Sequence, residues 1–175
     1  MRPIIFMLLC TVHLTSWAQI DDFHTDIIEM MTLRGDEINF SLAYHDVFPK
    51  LKRNFAKRNV DPSAWENLQK DEAQAVAELL EQSAYAYRQF LNRSEINELI
   101  EFYSGSAGQN YAMDGDLNPQ EQKEIKRFFK SPTGLKYRQK SDSIAMTLDQ
   151  IKSDWSSALF KQKMRELIKG GYLNN

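Results

Sequence analysis

The chain has 175 residues but only one cysteine, Cys10, and three histidines. Cys10 sits inside the first apolar run, so residues 19–175 contain no thiol. That excludes a disulfide framework, a thiolate metal site and a cysteine nucleophile there. His24 and His45 are the only imidazoles in that part, and they stand in no HExxH or paired-histidine spacing. GxGxxG, Walker, GxSxG and SxxK patterns are absent as well, so no phosphate loop or activated serine is announced. The sequence therefore indicates no cofactor, no metal ligands and no catalytic residue by name. An enzyme reading survives only because active sites are spatial. Beyond the first residues no run approaches the roughly 20 apolar residues that cross a bilayer. No alternating apolar run bounded by hairpin dipeptides is present either, so strands are not expected.

What is present begins with "MRPIIFMLLCTVHLTSWAQ". One cation, a short apolar run and Ser16-Trp17-Ala18 form the layout of a secretory signal peptide. Cleavage is expected after Ala18. Residues 1–18 would then leave as the signal, and 19–175 would form a single helical domain, periplasmic or secreted. Leu8 and Leu9 before Cys10 argue against a lipid-anchored cleavage site. Without Arg2 the chain has 21 basic and 24 acidic residues, a formal charge of −3. That balance gives no push toward nucleic acid.

Helical spacing dominates the rest. Phe23, Ile27, Met30 and Met31 mark a first helix, with Gly35 as its stop. Ile38, Leu42, His45 and Phe48 form a second series, interrupted by Pro49 and resumed at Leu51 and Phe55. His45 on that series reads as a core or boundary histidine. Asp61 and Pro62 start a long amphipathic helix through Trp65, Leu68, Val76, Leu79, Leu80, Tyr87 and Phe90. Leu135, Leu148, Ile151, Trp155, Leu159, Leu167 and Ile168 make a last stripe, ending near Gly170-Gly171. The pattern predicts an all-α, multi-helix bundle of about six or seven helices, two of them long. Its N-terminal helices occupy 19–84.

"LNRSEINELIEFYSGSAGQNYA" (91–112) aligns without a gap on "LNPQEQKEIKRFFKSPTGLKYR" (117–138) at a constant offset of 26 residues. Leu91, Asn92, Glu95, Glu98, Phe102, Gly108 and Tyr111 meet identical residues. This predicts an internal tandem repeat of a short helix–turn–helix unit. Asn92 and Asn118 should be N-caps, with Glu95 and Glu121 at capping-box distance. Ser131 should cap a further helix that Pro132 opens. Gly108 and Gly134 should allow a close approach or a bend. Glu95, Glu98 and Glu101 read as a solvated helix face.

"ELIEFYSGSAGQNY" and "EIKRFFKSPTGLKY" resemble a bacterial exported family known only as domain of unknown function 2059. The resemblance covers 85–154. Its motif residues here are Phe102, Tyr103, Gly108, Phe128, Phe129, Ser131, Pro132 and Gly134, in structural roles. Gly105-Ser106 replaces the Ser-Pro step in the first copy. The resemblance implies an all-helical exported protein and brings no chemistry.

Two stretches invite a functional reading. "YAMDGDLNPQEQKE" offers Asp114, Asp116 and Asn118 at the first alternate positions of a calcium loop. Pro119 then stands where that loop needs glycine, and Ile125 where it needs glutamate. A turn followed by a cap explains the same residues, and only a weak cation site at Asp114 and Asp116 survives. "PKLKRNFAKR" carries Lys50, Lys52, Arg53, Lys57 and Arg58 with no anion, and Leu51 and Phe55 on the opposite side. It is a candidate for docking on an anionic surface. The leading expectation is a binding or structural role in the cell envelope, toward an unidentified protein or envelope component. A small hydrolase-like enzyme and a peripheral membrane-surface protein are the alternatives.

Overall fold

The computed structural model describes residues 21–172. The expected signal peptide and Cys10 lie outside the described residues. Within them the protein is an all-α bundle with no strand. The helices are α1 (Asp22–Leu33), α2 (Asp36–His45), α3 (Val47–Asn54), α4 (Pro62–Leu68), α5 (Glu72–Arg88), α6 (Arg93–Ser104), α7 (Ser106–Ala112), α8 (Pro119–Phe128) and α9 (Pro132–Lys169). Some are consecutive pieces of one bent path. Asp46 alone separates α2 from α3, and Gly105 alone separates α6 from α7. No helix among the described residues is long and apolar enough to cross a membrane.

α5 is the central helix and packs on α1, α2 and α9. α1 also packs on α6. α9 has 38 residues, about 57 Å at 1.5 Å per residue, and touches α2, α3, α4, α5 and α6. Ile144, Trp155, Leu159 and Leu167 of α9 join Leu79, Tyr87 and Met30 in one buried cluster. Lys169 ends the helix at Gly170, and Gly171 follows in the left-handed region at φ 89°.

The path departs from the sequence pattern in two places. The helix expected from Pro62 through Phe90 is broken after Leu68. The Leu68 carbonyl accepts a hydrogen bond from the Tyr44 hydroxyl at 3.0 Å, in place of a helical partner, and Asp71 is drawn toward the same hydroxyl. The inward face of α2 is also rotated from the Ile38–Leu42 stripe. Ile38 and Leu42 are exposed, while Asp36, Phe40 and Tyr44 are buried. Gly35, left-handed at φ 82°, and the burial of Asp36 against Arg34 set that rotation. Leu135 and Ile168 likewise face outward from α9.

Residues at the 26-residue offset make matching contacts. Asn92 and Asn118 each cap a helix, and Glu95 and Glu121 each return a carboxylate to the cap's N–H, so both capping boxes are closed. A Cβ on Gly108 would lie 2.1 Å from the Phe102 carbonyl oxygen, and one on Gly134 would lie 2.1 Å from that of Phe128. Side-chain contacts also run crosswise. Glu95 of the first segment holds Lys136 of the second at 2.7 Å. Glu121 of the second accepts from Asn110 of the first at 2.9 Å. Tyr111 packs on Phe129 with ring centroids 5.1 Å apart, and Tyr137 meets Tyr103 through their hydroxyls.

Candidate functional site

The sequence "TLRGDE" ends α1 at Leu33 and starts α2 at Asp36, leaving Arg34 at the corner. From there Arg34 reaches inward. Its Nε and Nη2 donate to the two Asp36 carboxylate oxygens at 2.9 and 2.5 Å, a bidentate fork. Nη2 also donates to the Tyr87 hydroxyl of α5, and Nη1 to the Tyr137 hydroxyl of α9 at 2.6 Å. Burial disfavours the guanidinium charge, but Tyr87, Tyr137 and Asp36 around it outweigh that, and its pKa rises. Burial pushes the phenols of Tyr87 and Tyr103 well above their usual range, so both remain neutral, and Tyr87 accepts from Arg34 in that form.

This network floors a cleft of about 810 Å³. One wall is Tyr137, Arg138 and Ser141 of α9; another is Tyr103, Asn110 and Tyr111. Asn39 of α2 and the Asp114–Gly115 turn complete the rim. Tyr111 leaves 43% of its surface open. The Arg138 and Asn39 side chains have no hydrogen bond or ion pair among the described residues. The cleft thus combines a fixed, neutralised base with an open aromatic face and free hydrogen-bond donors. Its described lining contains no histidine, lysine or glutamate.

The candidate calcium stretch lies on this rim. α7 ends in a Schellman motif: Asp114 is left-handed at φ 51°, and the Gly115 N–H returns to the Asn110 carbonyl at 2.8 Å. Asn118 accepts from the N–H groups of Gln120 and Glu121. Among the described residues, no three histidine, cysteine or acidic groups stand where they could hold a metal ion.

The basic segment lies elsewhere. Leu51 and Phe55 are buried, Lys50, Lys52, Arg53 and Lys57 are exposed, and Arg58 is half-buried. Lys52 stands 5.7 Å over the Trp65 ring. Lys50 borders a second cleft of about 520 Å³ with Lys152, Lys161 and three α9 serines. Lys57 and Arg58 fall beyond the end of α3. The structure brings none of the five to the Arg34 cleft.

Of the motif residues, Tyr103 and Phe129 reach the cleft, beside Tyr111 and Tyr137, which are not among them. Phe102 and Phe128 lie behind it, and Ser131 caps α9 through the Gly134 N–H at 3.1 Å. In the first of the two aligned segments α7 begins after Gly105 with no side-chain cap.

Two further polar clusters were not expected. Lys163, 1% exposed, donates to Asp71 at 2.6 Å, and Tyr44 donates to the same carboxylate at 2.6 Å. Burial would raise the Asp71 pKa, but the Lys163 and Tyr44 bonds outweigh it and hold the carboxyl low. His24, rather than His45, is the buried histidine; it pairs with Glu81 at 2.8 Å. His45 is exposed and meets Glu72 at 3.1 Å. Glu98 and Glu101 stay in solvent, but Glu95 is taken up by its cap and Lys136.

Arg34, Asp36, Asn39 and Arg138 carry no motif. The usable signal was indirect. Tyr87 carries a polar tip on an otherwise apolar stripe, and a buried phenol needs a partner.

No protein-family model, curated protein or solved structure matches the chain.

Proposed function

We propose that this is an exported helical binding protein of the bacterial cell envelope, related to the family known as domain of unknown function 2059. Its helix–turn–helix units, 91–112 and 117–138, are a tandem duplication in this reading. The paired capping boxes, the equivalent glycines and the crosswise Glu95–Lys136 and Asn110–Glu121 contacts support that. The signal-like N-terminus supports export.

The observation that carries the binding role is the Arg34 cleft. A buried, fully engaged guanidinium makes a rigid floor, and a rigid floor lowers the ordering cost of binding. Tyr111 offers a face for a ring, and Arg138 a fork for a carboxylate. The ligand is therefore a small polar molecule with both, such as an acidic sugar. N-acetylmuramic acid is a suitable probe. Titration into the chain starting at Gln19, followed by NMR, should shift Arg138 and the Tyr111 ring saturably. Tyr111→Ala or Arg138→Gln should weaken that response about tenfold without lowering Tm. A response equal in wild type and both variants counts against the site. Export is checked separately: the periplasmic fraction of a bacterial host should yield a chain beginning at Gln19, and an intact Met1 in the cytosol speaks against it.

A further inference from the structure

We propose that α8 is an electrostatic docking face for an anionic phospholipid bilayer. Lys123, Lys126 and Arg127 recur at i, i+3 and i+4 on one side of α8, and Lys130 follows in the turn just past its end. With Ser131 the four line a wide, open depression of about 550 Å³ that has no carboxylate in its wall. All four are exposed, and none has a hydrogen bond or ion pair among the described residues. Single unpaired cations occur elsewhere, Arg138 among them, while Arg88, Arg93 and Lys136 are held by Asp21, Asp26 and Glu95; what sets α8 apart is four unpaired cations side by side. Arg127 also borders the neighbouring depression that contains Glu98, Glu101 and Glu124, so it is the most screened of the four.

The fold does not require these charges. At the 26-residue offset the same positions on α6 are Asn97, Ile100, Glu101 and Ser104. α6 closes the same capping box and delivers Phe102 to the same aromatic cluster with a formal charge of −1 there, against +4 on α8. Helix-dipole complementarity accounts for Lys126 and Arg127 in the last turn. It does not account for Lys123, before that turn, or Lys130, beyond the helix end.

The shape selects the partner. A wide, open depression does not enclose and desolvate a small anion, and it lacks the buried aromatic anchor that a protein partner needs. Three cations on α8 and a fourth in the turn behind it match a plane of phosphate groups. Nothing apolar inserts, so attachment is peripheral and salt-sensitive. This inference is independent of the cleft and assigns membrane contact to α8 rather than to residues 49–58.

The test is cosedimentation of the chain from Gln19 with phosphatidylcholine vesicles containing about 30 mole per cent phosphatidylglycerol. Expected is binding at low salt, loss at about 0.5 M salt, and none to pure phosphatidylcholine. The variant K123Q/K126Q/R127Q/K130Q should lose about a hundredfold or more in partitioning, from roughly fivefold per charge. The variant K50Q/K52Q/R53Q/K57Q/R58Q should lose far less. Circular dichroism verifies folding; if the quadruple variant is unfolded, K123Q and K130Q are read singly, each at about fivefold. Undiminished binding by the α8 variants overturns the proposal. So does a loss confined to the 49–58 variant, displacement by inorganic phosphate at equal ionic strength, or tighter binding to duplex DNA than to vesicles.

Discussion

Phe102 and Phe128, 26 residues apart, stack face to face with ring centroids 4.1 Å apart and planes 7° from parallel. They occupy the same position in the two aligned segments. Contact between equivalent residues, flanked by reciprocal crosswise contacts, is the pattern of an isologous two-fold interface. Here it lies inside one chain. A double-mutant cycle on Phe102→Ala and Phe128→Ala should give a coupling of about 0.5–1.5 kcal/mol in urea denaturation. Strict additivity would show that the two rings are merely neighbours.

Gly108 and Gly134 are both helical positions where a methyl group would enter backbone. A Cβ at either would approach a carbonyl oxygen to 2.1 Å, and backbone cannot step aside as a flexible side chain can. Gly108→Ala and Gly134→Ala should each cost about 3 kcal/mol, against the slight gain expected for this change in an open helix. Denaturation midpoints check this. A cost below about 1 kcal/mol at either site would mean that the helix ends move apart freely.

Asp71 links pH to stability. Its folded pKa is depressed, so its contribution is complete above the unfolded value, near 4, and fades as pH falls through the lower folded value. Asp71→Asn should therefore destabilise at pH 7, leaving Lys163 buried without its closest carboxylate. The gap between wild type and variant should shrink below about pH 4. Guanidinium titrations at pH 7 and pH 3 measure it; a constant gap would place the cost in packing instead.

Asp114 is the one described non-glycine residue with positive φ, at 51°. Asp114→Gly should raise stability by about 0.5–1 kcal/mol, since glycine carries no Cβ penalty in that region. Millimolar calcium should leave the melting temperature of wild type unchanged. A calcium-dependent rise that the variant loses would restore the metal reading of the turn.

Sequence reading reached what is local. Caps at Asn92, Asn118 and Ser131, the Pro62 and Pro132 starts and the Gly170 end depend on a few adjacent residues, and each stands where its spacing put it. The break after Leu68 was illegible because its cause, the Tyr44 hydroxyl, is 24 residues away. The exposure of Ile38 and Leu42 follows from the Arg34–Asp36 fork, and a periodicity count sees no fork. The cleft was illegible for the same reason: Arg34 and Tyr137 meet across 103 residues, through an arginine in an unremarkable loop.

In mechanical terms α9 is a strut. It is one unbroken helix, and α2 through α6 all lean on it. A bundle hung on one rod ties its early helices to its last, and the Arg34–Tyr137 bond in the floor of the cleft is part of that tie. α7 stands apart from the rod and rests mainly on α6 and α8. Tyr111 and Asp114 ride on that piece, so a molecule entering the cleft meets one wall carried by the rod and one carried by the α6–α8 pair.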